Sequence, residues 1–361
     1  MSGAIVLQGN IIASRAAQPA CKRGGPGLTP APRQGNEAGM AAPRVWVVHD
    51  GKIGMANQVI GLAEALGLSF SEKRLVIRAP WRHLTPALWL QPLRSLDAAG
   101  DRLAPPWPEI LIACGRLATA PALAVKRASG GRVFWIQVQD PRFARREVDL
   151  MIVPAHDPAQ GENVFRTLGA VHRVTPALLA EGARRFAPLL ADLPRPLVTV
   201  LLGGDNRVYR LTRARFAAFA DQLAALARAG YGIAVTPSRR TGAENVQLLR
   251  ERLAGLPAFI WEGNGDNPYF GLLGLADAVL ATADSVSMVS EAAATGKPVH
   301  VVDLDGGSDK FARFHEAMRA AGVTRRFAGA IESWRYAPPD DTARAAAEIR
   351  RRLALRVAEV A

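Results

Sequence analysis

Ser285, Ser287 and Glu291 lie in the stretch Thr282-Ala283-Asp284-Ser285-Val286-Ser287-Met288-Val289-Ser290-Glu291-Ala292-Ala293-Ala294-Thr295-Gly296-Lys297-Pro298, directly after an apolar run, Ala278 to Ala281. Asp284 or Ser285 can cap a helix there, Gly296 can end it, and Pro298 forbids its continuation. The unpaired N–H groups of a first helical turn can receive a phosphate, with hydroxyls at Ser285 and Ser287 adding donors. Glu291, near the second turn, would then reach a ribose attached to that phosphate. A capped surface helix with a solvated glutamate is the plainer alternative.

Three more polar turns follow strand-like runs. Gly203-Gly204-Asp205-Asn206 has glycines that let the backbone approach a ligand closely, or simply make a tight turn. Asp303-Leu304-Asp305-Gly306-Gly307-Ser308-Asp309-Lys310 brings carboxylates, the Ser308 hydroxyl and the Lys310 amine to the same edge. Thr236-Pro237-Ser238-Arg239-Arg240-Thr241 adds cations; Arg239 or Arg240 would offset diphosphate charge, although exposed arginines also serve solubility alone. Together these turns favour a nucleotide-diphosphate site. Group transfer to a hydroxyl at such a site would also need, across a cleft, a base to take the hydroxyl proton. His49 and Asp50, at the end of Val45 to His49, and Asp140, beside Gln139 and Arg142, are the candidates. Their bland readings are a packed strand histidine, an Asp-Gly turn and an Asp-Pro turn braced by an arginine.

Other chemistries find less support. His83, His156, His172, His300 and His315 show no ligand spacing with one another, so no metal is expected, and a helix N-terminus with arginines can carry diphosphate charge without one. Thr295-Gly296-Lys297-Pro298 lacks the first glycine and the hydroxyl of a Walker sequence, which argues against kinases and GTPases. The Gly-x-G-x-x-Gly of a nicotinamide dehydrogenase is missing after the first strand. The formal charge of +13 suggests an anionic partner. Nucleic acid is disfavoured, because the basic residues are dispersed and no zinc-finger spacing or RNP-like motif occurs. A ligand bearing a nucleotide diphosphate is expected, with no cofactor required and peripheral association with an anionic membrane as a further option.

The elements that must position these residues alternate strand-length apolar runs with helical patterns, the signature of an α/β protein with parallel sheets. Strands are expected at Val45 to His49, Lys73 to Ile77, Ile110 to Cys114, Val133 to Gln137 and Leu150 to Val153, with a helix over Asn57 to Leu66. After a break at Leu193-Pro194-Arg195-Pro196-Leu197, a second series runs through Leu197 to Leu202, Gly232 to Thr236, Phe259 to Trp261, Ala278 to Ala281 and Val299 to Val302. Two Rossmann-like domains facing across a cleft follow, at 40–194 and 195–335, with 336–361 as a helix crossing back to the first. Its stripe of Ala346, Ile349, Leu353, Val357 and Val360 should dock; a basic helix lying on a membrane is the alternative. Residues 1–39 hold four cations and one acid, Glu37, without hydrophobic period, and read as a disordered or mis-called extension, with Met40 as the natural start. Cys21 and Cys114 are too few for a disulfide framework, and no window offers the ~18 apolar residues of a membrane span. A soluble, cytoplasmic protein is expected.

Ser290-Glu291-Ala292-Ala293-Ala294-Thr295-Gly296-Lys297-Pro298 resembles the nucleotide-sugar helix of GT-B glycosyltransferases, in which the matching glutamate holds the donor ribose. Asp50-Gly51-Lys52-Ile53-Gly54-Met55-Ala56-Asn57-Gln58, Gln137-Val138-Gln139-Asp140-Pro141-Arg142, Gly203-Gly204-Asp205-Asn206-Arg207, Thr236 to Thr241, and Ser308-Asp309-Lys310-Phe311-Ala312-Arg313-Phe314-His315 resemble the family of the plant elongated-mitochondria fission factor and its bacterial relatives. The resemblance runs from about Val45 to about Phe327 and implies a GT-B-like fold more firmly than a reaction. The Ala/Arg-rich composition fits a bacterial member. With a nucleotide-diphosphate sugar as the implied donor and the acceptor unknown, glycosyl transfer is the first reading. A non-catalytic membrane-surface adaptor and a nucleotide-sugar epimerase are its rivals.

The composition of 1–39 cannot offset ~1 to 2 kcal/mol of backbone ordering per residue. A chain beginning at Met40 should melt with the full chain; a clearly lower melting temperature would show that the tail packs.

Overall fold

The computed structural model describes residues 43–360; the expected tail at 1–39 and Cys21 lie outside the described residues. The first series forms β1 (Val45–His49), α1 (Ile53–Leu66), β2 (Phe70–Arg74), β3 (Ile110–Cys114), α2 (Arg116–Ala128), β4 (Phe134–Val138), β5 (Leu150–Pro154) and β6 (Val164–Thr167). All six strands are parallel, in the order β2-β1-β3-β4-β5-β6. Alternate residues of β1 enter different cores: Val45 and Val47 pack with α1, while Trp46 and Val48 pack on the opposite face with Trp135. Burial on both faces is why these strands read as unbroken apolar runs.

After α3 (Pro176–Phe186), the second series forms β7 (Leu197–Leu202), β8 (Tyr209–Arg210), α4 (Arg213–Arg228), β9 (Gly232–Pro237), α5 (Ala243–Leu253), β10 (Ala258–Ile260), α6 (Tyr269–Leu275), β11 (Ala278–Thr282), α7 (Val286–Ala293), β12 (Val299–Val302), β13 (Asp305–Gly306), α8 (Asp309–Ala320) and β14 (Thr324–Arg326); α9 (Asp341–Val360) ends the fold. The second sheet is also parallel, ordered β10-β9-β7-β11-β12-β14, while β8 and β13 make a small antiparallel pair. Two Rossmann-like sheets give the GT-B architecture. No helix among the described residues is long and apolar enough to cross a membrane.

The structure corrects the sequence reading in places. Strand β2 pairs Phe70 with Val45, three residues ahead of the expected Lys73 to Ile77. Gly67, in the left-handed conformation (φ 70°), closes α1 so tightly that the chain re-enters the sheet at once. Leu75 and Ile77 instead fill the core beneath the excursion before β3, where Ile77 bridges Leu96. Strands β6 and β14 escaped notice because edge strands such as Thr324-Arg325-Arg326 need no apolar run. The chain also changes domain before the Leu193–Leu197 break. His172 packs against Gly61 of α1, whereas Val174 belongs to the second core, and Gly182 of α3 lies against the Gly271 backbone of α6.

At its far end the chain returns. Asp341 accepts from the Leu168 and Gly169 amides (3.0 and 2.7 Å), and Thr342 exchanges hydrogen bonds with the His172 backbone. Beyond this staple, Ala345, Ala346 and Ile349 enter the core shared with Val59 and Leu62 of α1. The arginines expected to offer a basic face are used differently: Arg352 caps the Glu162 carbonyl, and Arg356 caps that of Arg132 while lying over the Phe134 ring. Ile349 is fully buried. Ile349→Ala should therefore cost about 2–5 kcal/mol in chemical denaturation, with deletion of 341–361 costing more. Unchanged stability on deletion, with lost liposome binding, would restore the membrane-helix reading.

Candidate functional site

In each sheet the strand order reverses beside the first strand, between β1 and β3 and between β7 and β11, and such switch points open a crevice at the carboxyl ends of the strands. The second is built around Asp284. Its fully buried carboxylate accepts from Thr282 Oγ1 (2.6 Å) and the Gly204 amide (3.2 Å) and pairs with Arg240 (2.5 Å). Asn206 Nδ2 donates to the Asp284 carbonyl, and the Gly203 amide donates to Thr282 Oγ1. A Cβ on Gly203 would fall 2.2 Å from the Asp284 carboxylate, and one on Gly204 (φ 147°) 2.0 Å from the Arg240 carbonyl. Glycine is therefore required at both positions by packing inside the turn. Gly203, Gly204, Asn206 and Arg240 form one nest with Asp284. Arg239 is exposed beside it.

Ser285, not Asp284, caps α7, accepting from the Met288 amide at 3.3 Å. The face of α7 bearing Ser287, Ser290 and Glu291 looks at the first domain. Gln58 Nε2 donates to Ser287 Oγ (3.2 Å), the Ala170 amide donates to Ser290 Oγ (2.9 Å), and Asn57 Nδ2 donates to Glu291 Oε1 (3.1 Å). Tyr269 donates its hydroxyl to the other Glu291 oxygen at 2.6 Å. Glu291 is thus 3% exposed, which removes the plainer alternative of a solvated glutamate on a surface helix. Burial raises its pKa above the ordinary 4.5, against the opposing hydrogen bonds from Tyr269 and Asn57. The same burial, with the facing carboxylate, lifts the Tyr269 phenol well above its usual range.

The first-domain candidates are differently placed. His49 is buried, its Nδ1 accepting from the Gly51 amide (3.1 Å) and its Nε2 facing Glu72 Oε1 (2.9 Å), so both ring nitrogens are engaged. Asp50 pairs with Lys52. Asp140 is gripped by both Nε and a terminal nitrogen of Arg145 (2.8 and 2.6 Å) and by the Arg142 amide. Although burial opposes it, these partners hold the carboxyl below its ordinary value, which weakens Asp140 as a base. Its neighbours Gln139 and Arg142 have positive φ (69° and 65°), a conformation that costs a non-glycine residue free energy. Across the cleft, Lys310 pairs with buried Asp157 at 2.7 Å, while Ser308 begins α8 exposed and without a side-chain capping bond. Lys297 donates to the Leu273 and Gly274 carbonyls, and burial lowers its pKa to about 8. It therefore anchors α6. Among the described residues no group of His, Cys, Asp and Glu is arranged to hold a metal.

Asn57, Gln58 and Tyr269 were not singled out as site residues from the sequence. In the sequence Asn57 and Gln58 belong to the Asp50–Gln58 motif and open the expected Asn57 to Leu66 helix, and the one available signal is these two adjacent amides at a helix start.

Residues 53–353 match the family described as Mitochondrial fission ELM1. The chain belongs to the mitochondrial fission ELM1 family. It is 36% identical over 277 residues to "Mitochondrial fission protein ELM1" of Arabidopsis thaliana, spanning 69% of this chain and 65% of the plant protein. It is 24% identical over 304 residues to "Uncharacterized protein RP120" of Rickettsia prowazekii (strain Madrid E), spanning 71% of this chain and 82% of that protein. Among solved structures, a putative UDP-N-acetylglucosamine 2-epimerase from Listeria monocytogenes superposes with a TM-score of 0.52 at 12% identity, covering 86% of this chain and 88% of the other. That likeness is one of fold. The Asp50–Gln58 and Ser290–Pro298 motifs, read separately in the sequence, meet in this ELM1-family protein as the Asn57–Glu291 contact.

Two outcomes test the site. Gly203→Ala should lower thermal stability, because the methyl group meets the buried carboxylate; an unchanged melting temperature would mean that the turn is loose. Burial penalises the ionised Glu291, so this residue costs the folded state stability above its raised folded pKa, and the cost is relieved as pH falls toward 4.5. Glu291→Gln should therefore melt higher than wild type at neutral pH and converge with it in acid. A lower melting temperature at neutral pH would show that the ionised carboxylate itself holds the domains together.

Proposed function

We propose that the cleft binds a nucleotide-diphosphate sugar and that the protein transfers the sugar to an acceptor hydroxyl. The observation that carries this reading is the placement of Glu291 on a Ser285-capped helix at the switch point of the second sheet. The α7 N-terminus would receive the diphosphate, with Arg239 and Arg240 offsetting its charge, and Glu291 would accept from the ribose hydroxyls. Asn57 now occupies one oxygen of that carboxylate, so ribose binding and the interdomain contact compete for it. The nucleotide enters when the contact opens.

Of the three candidate bases, Asp50 is the one we assign. His49 and Asp140 already spend their polar atoms on Gly51, Glu72 and Arg145, whereas Asp50 holds only Lys52 and its own turn. Its carboxylate would take the acceptor proton as the acceptor oxygen bonds to the sugar C1 and the C1–O bond to the diphosphate breaks. The negative charge leaves with the nucleoside diphosphate, toward the α7 N-terminus. The engagement of His49 and Asp140 also favours a second reading, a non-catalytic adaptor that uses this surface to recruit other proteins.

Nucleotide-diphosphate sugars should raise the melting temperature of the full chain, by the linkage of binding to folding. In calorimetric titration with the best of them, Glu291→Gln should weaken binding about tenfold or more. Arg252→Gln, remote from the cleft beside Asp221, should leave it unchanged. Asp50→Asn should retain binding but lose transfer. Equal affinity for wild type and Glu291→Gln would remove the nucleotide reading, and no stabilisation by any nucleotide would favour the adaptor.

A further inference from the structure

A cavity of about 490 Å³ opens between α8 and strands β12 and β14, lined by Arg313, Arg319, Arg325 and Arg326. None of Gly203, Asn206, Arg240, Ser285 or Glu291 lines it, so it is separate from the nucleotide site proposed above. Three of these arginines have carboxylate partners: Arg319 with Glu316 (2.6 Å), Arg326 with Asp303, and Arg325 with Glu332. A guanidinium has five N–H donors and one carboxylate uses at most two, so each keeps donors to spare. Arg313 has no carboxylate within 4.0 Å among the described residues; its one side-chain contact is a 3.5 Å approach to the His156 carbonyl. The lining also includes His315, 6% exposed, which directs Nε2 to the Ala283 carbonyl (2.8 Å) and leaves Nδ1 buried without a partner. Buried polar atoms left unpaired in this way call for a partner.

The chemistry is that of a phosphoryl group. Four guanidinium groups share one cavity lining with the Asp303 and Glu316 carboxylates, and a tetrahedral anion with three free oxygens can accept from more than one guanidinium fork. Nδ1 of His315 can accept from a P–OH or, once protonated, donate to a P–O⁻. The volume exceeds what one phosphate needs and falls within the ~300–1,000 Å³ common for small-molecule sites. Tyr209, Val301 and Ala312 supply an apolar wall for an organic part. We propose that this pocket binds a phosphorylated small molecule, its phosphoryl group held by Arg313, the spare donors of Arg319 and Arg326, and His315.

The full chain, isotope-labelled at histidine, can be titrated with inorganic phosphate and with glycerol 3-phosphate at ionic strength fixed by chloride. His315 ring signals, identified by their loss in His315→Gln, should shift saturably, with glycerol 3-phosphate binding more tightly than phosphate. Arg313→Gln should weaken binding about tenfold, Arg319→Gln should weaken it too, and Arg228→Gln, at the end of α4, should leave it unchanged. Nucleotide affinity of Arg313→Gln should equal that of wild type, which separates this site from the cleft. A response no larger than that to chloride, or identical affinities in wild type, Arg313→Gln and Arg319→Gln, would overturn the proposal. Equal binding of the two probes would overturn it in favour of a site for free phosphate alone.

Discussion

A carboxylate withdrawn from water must be given partners, and Glu291 takes them from three elements at once. Tyr269 of α6 satisfies one oxygen, Asn57 of α1 the other, and α7 carries the group itself. Because Asn57 belongs to the first domain, satisfying this single group also sets how the two sheets face each other. The neighbouring contacts repeat the arrangement with milder chemistry: Gln58 meets Ser287, the Ala170 amide meets Ser290, and Lys310 reaches Asp157 farther along the cleft. Gly54 can have no side chain larger than hydrogen without pressing on Ser287, which a Cβ would approach to 3.3 Å. The interface is therefore polar, hydrogen-bonded and narrow, a kind that small ligands can compete with.

Beside these contacts the chain itself joins the domains. The chain passes between the domains twice, near 168–174 and ahead of α9, and the two passages are tied by Asp341 and Thr342. Ile349 and its neighbours then make the last helix part of the first core. Asp341, Thr342 and the apolar face of α9 hold this connection, whereas the Asn57–Glu291 and Gln58–Ser287 contacts are polar pairs whose partners water can replace.

Membership of the ELM1 family and the GT-B architecture leave chemistry to the individual groups, since one fold hosts many functions. At the switch point of the second sheet stand a Ser285-capped helix and, near its second turn, the buried Glu291. The first sheet has given its histidine to Glu72 and one of its aspartates to Arg145. Positive φ at Gln139 and Arg142 stores strain beside that aspartate, in a loop whose neighbour Gln139 reaches Gln58 Oε1 at 3.3 Å and so adjoins the interdomain contact.

Much of the architecture was legible in the sequence because it is local. Val45 to His49 and Leu197 to Leu202 are buried on both faces, so their patterns announce parallel strands, and Ser285 with Gly296 brackets a helix by rules that act within a few residues. Where strands are short and polar, as with Thr324-Arg325-Arg326, or where a left-handed Gly67 decides the register, the local signal fails. The candidate site was legible only as separate motifs. Gly203 and Arg240 each carry a plausible ligand role in isolation and Asp284 a capping one, yet their polar atoms are spent mainly within one nest with Thr282. Lys297 has no role in the sequence pattern beyond a failed Walker match, and the fold makes it an anchor for α6 carbonyls. Glu291 sits 234 positions from Asn57, and nothing in a helical pattern reports which distant side chain will face a given residue. Residue types and spacing determined the sheets, the caps and the chemical vocabulary of this protein. Burial and partnership arise only when distant segments meet, so tertiary structure alone decided that Glu291 would be covered, as the two sheets come together, and His49 engaged, as β2 lines up beside β1.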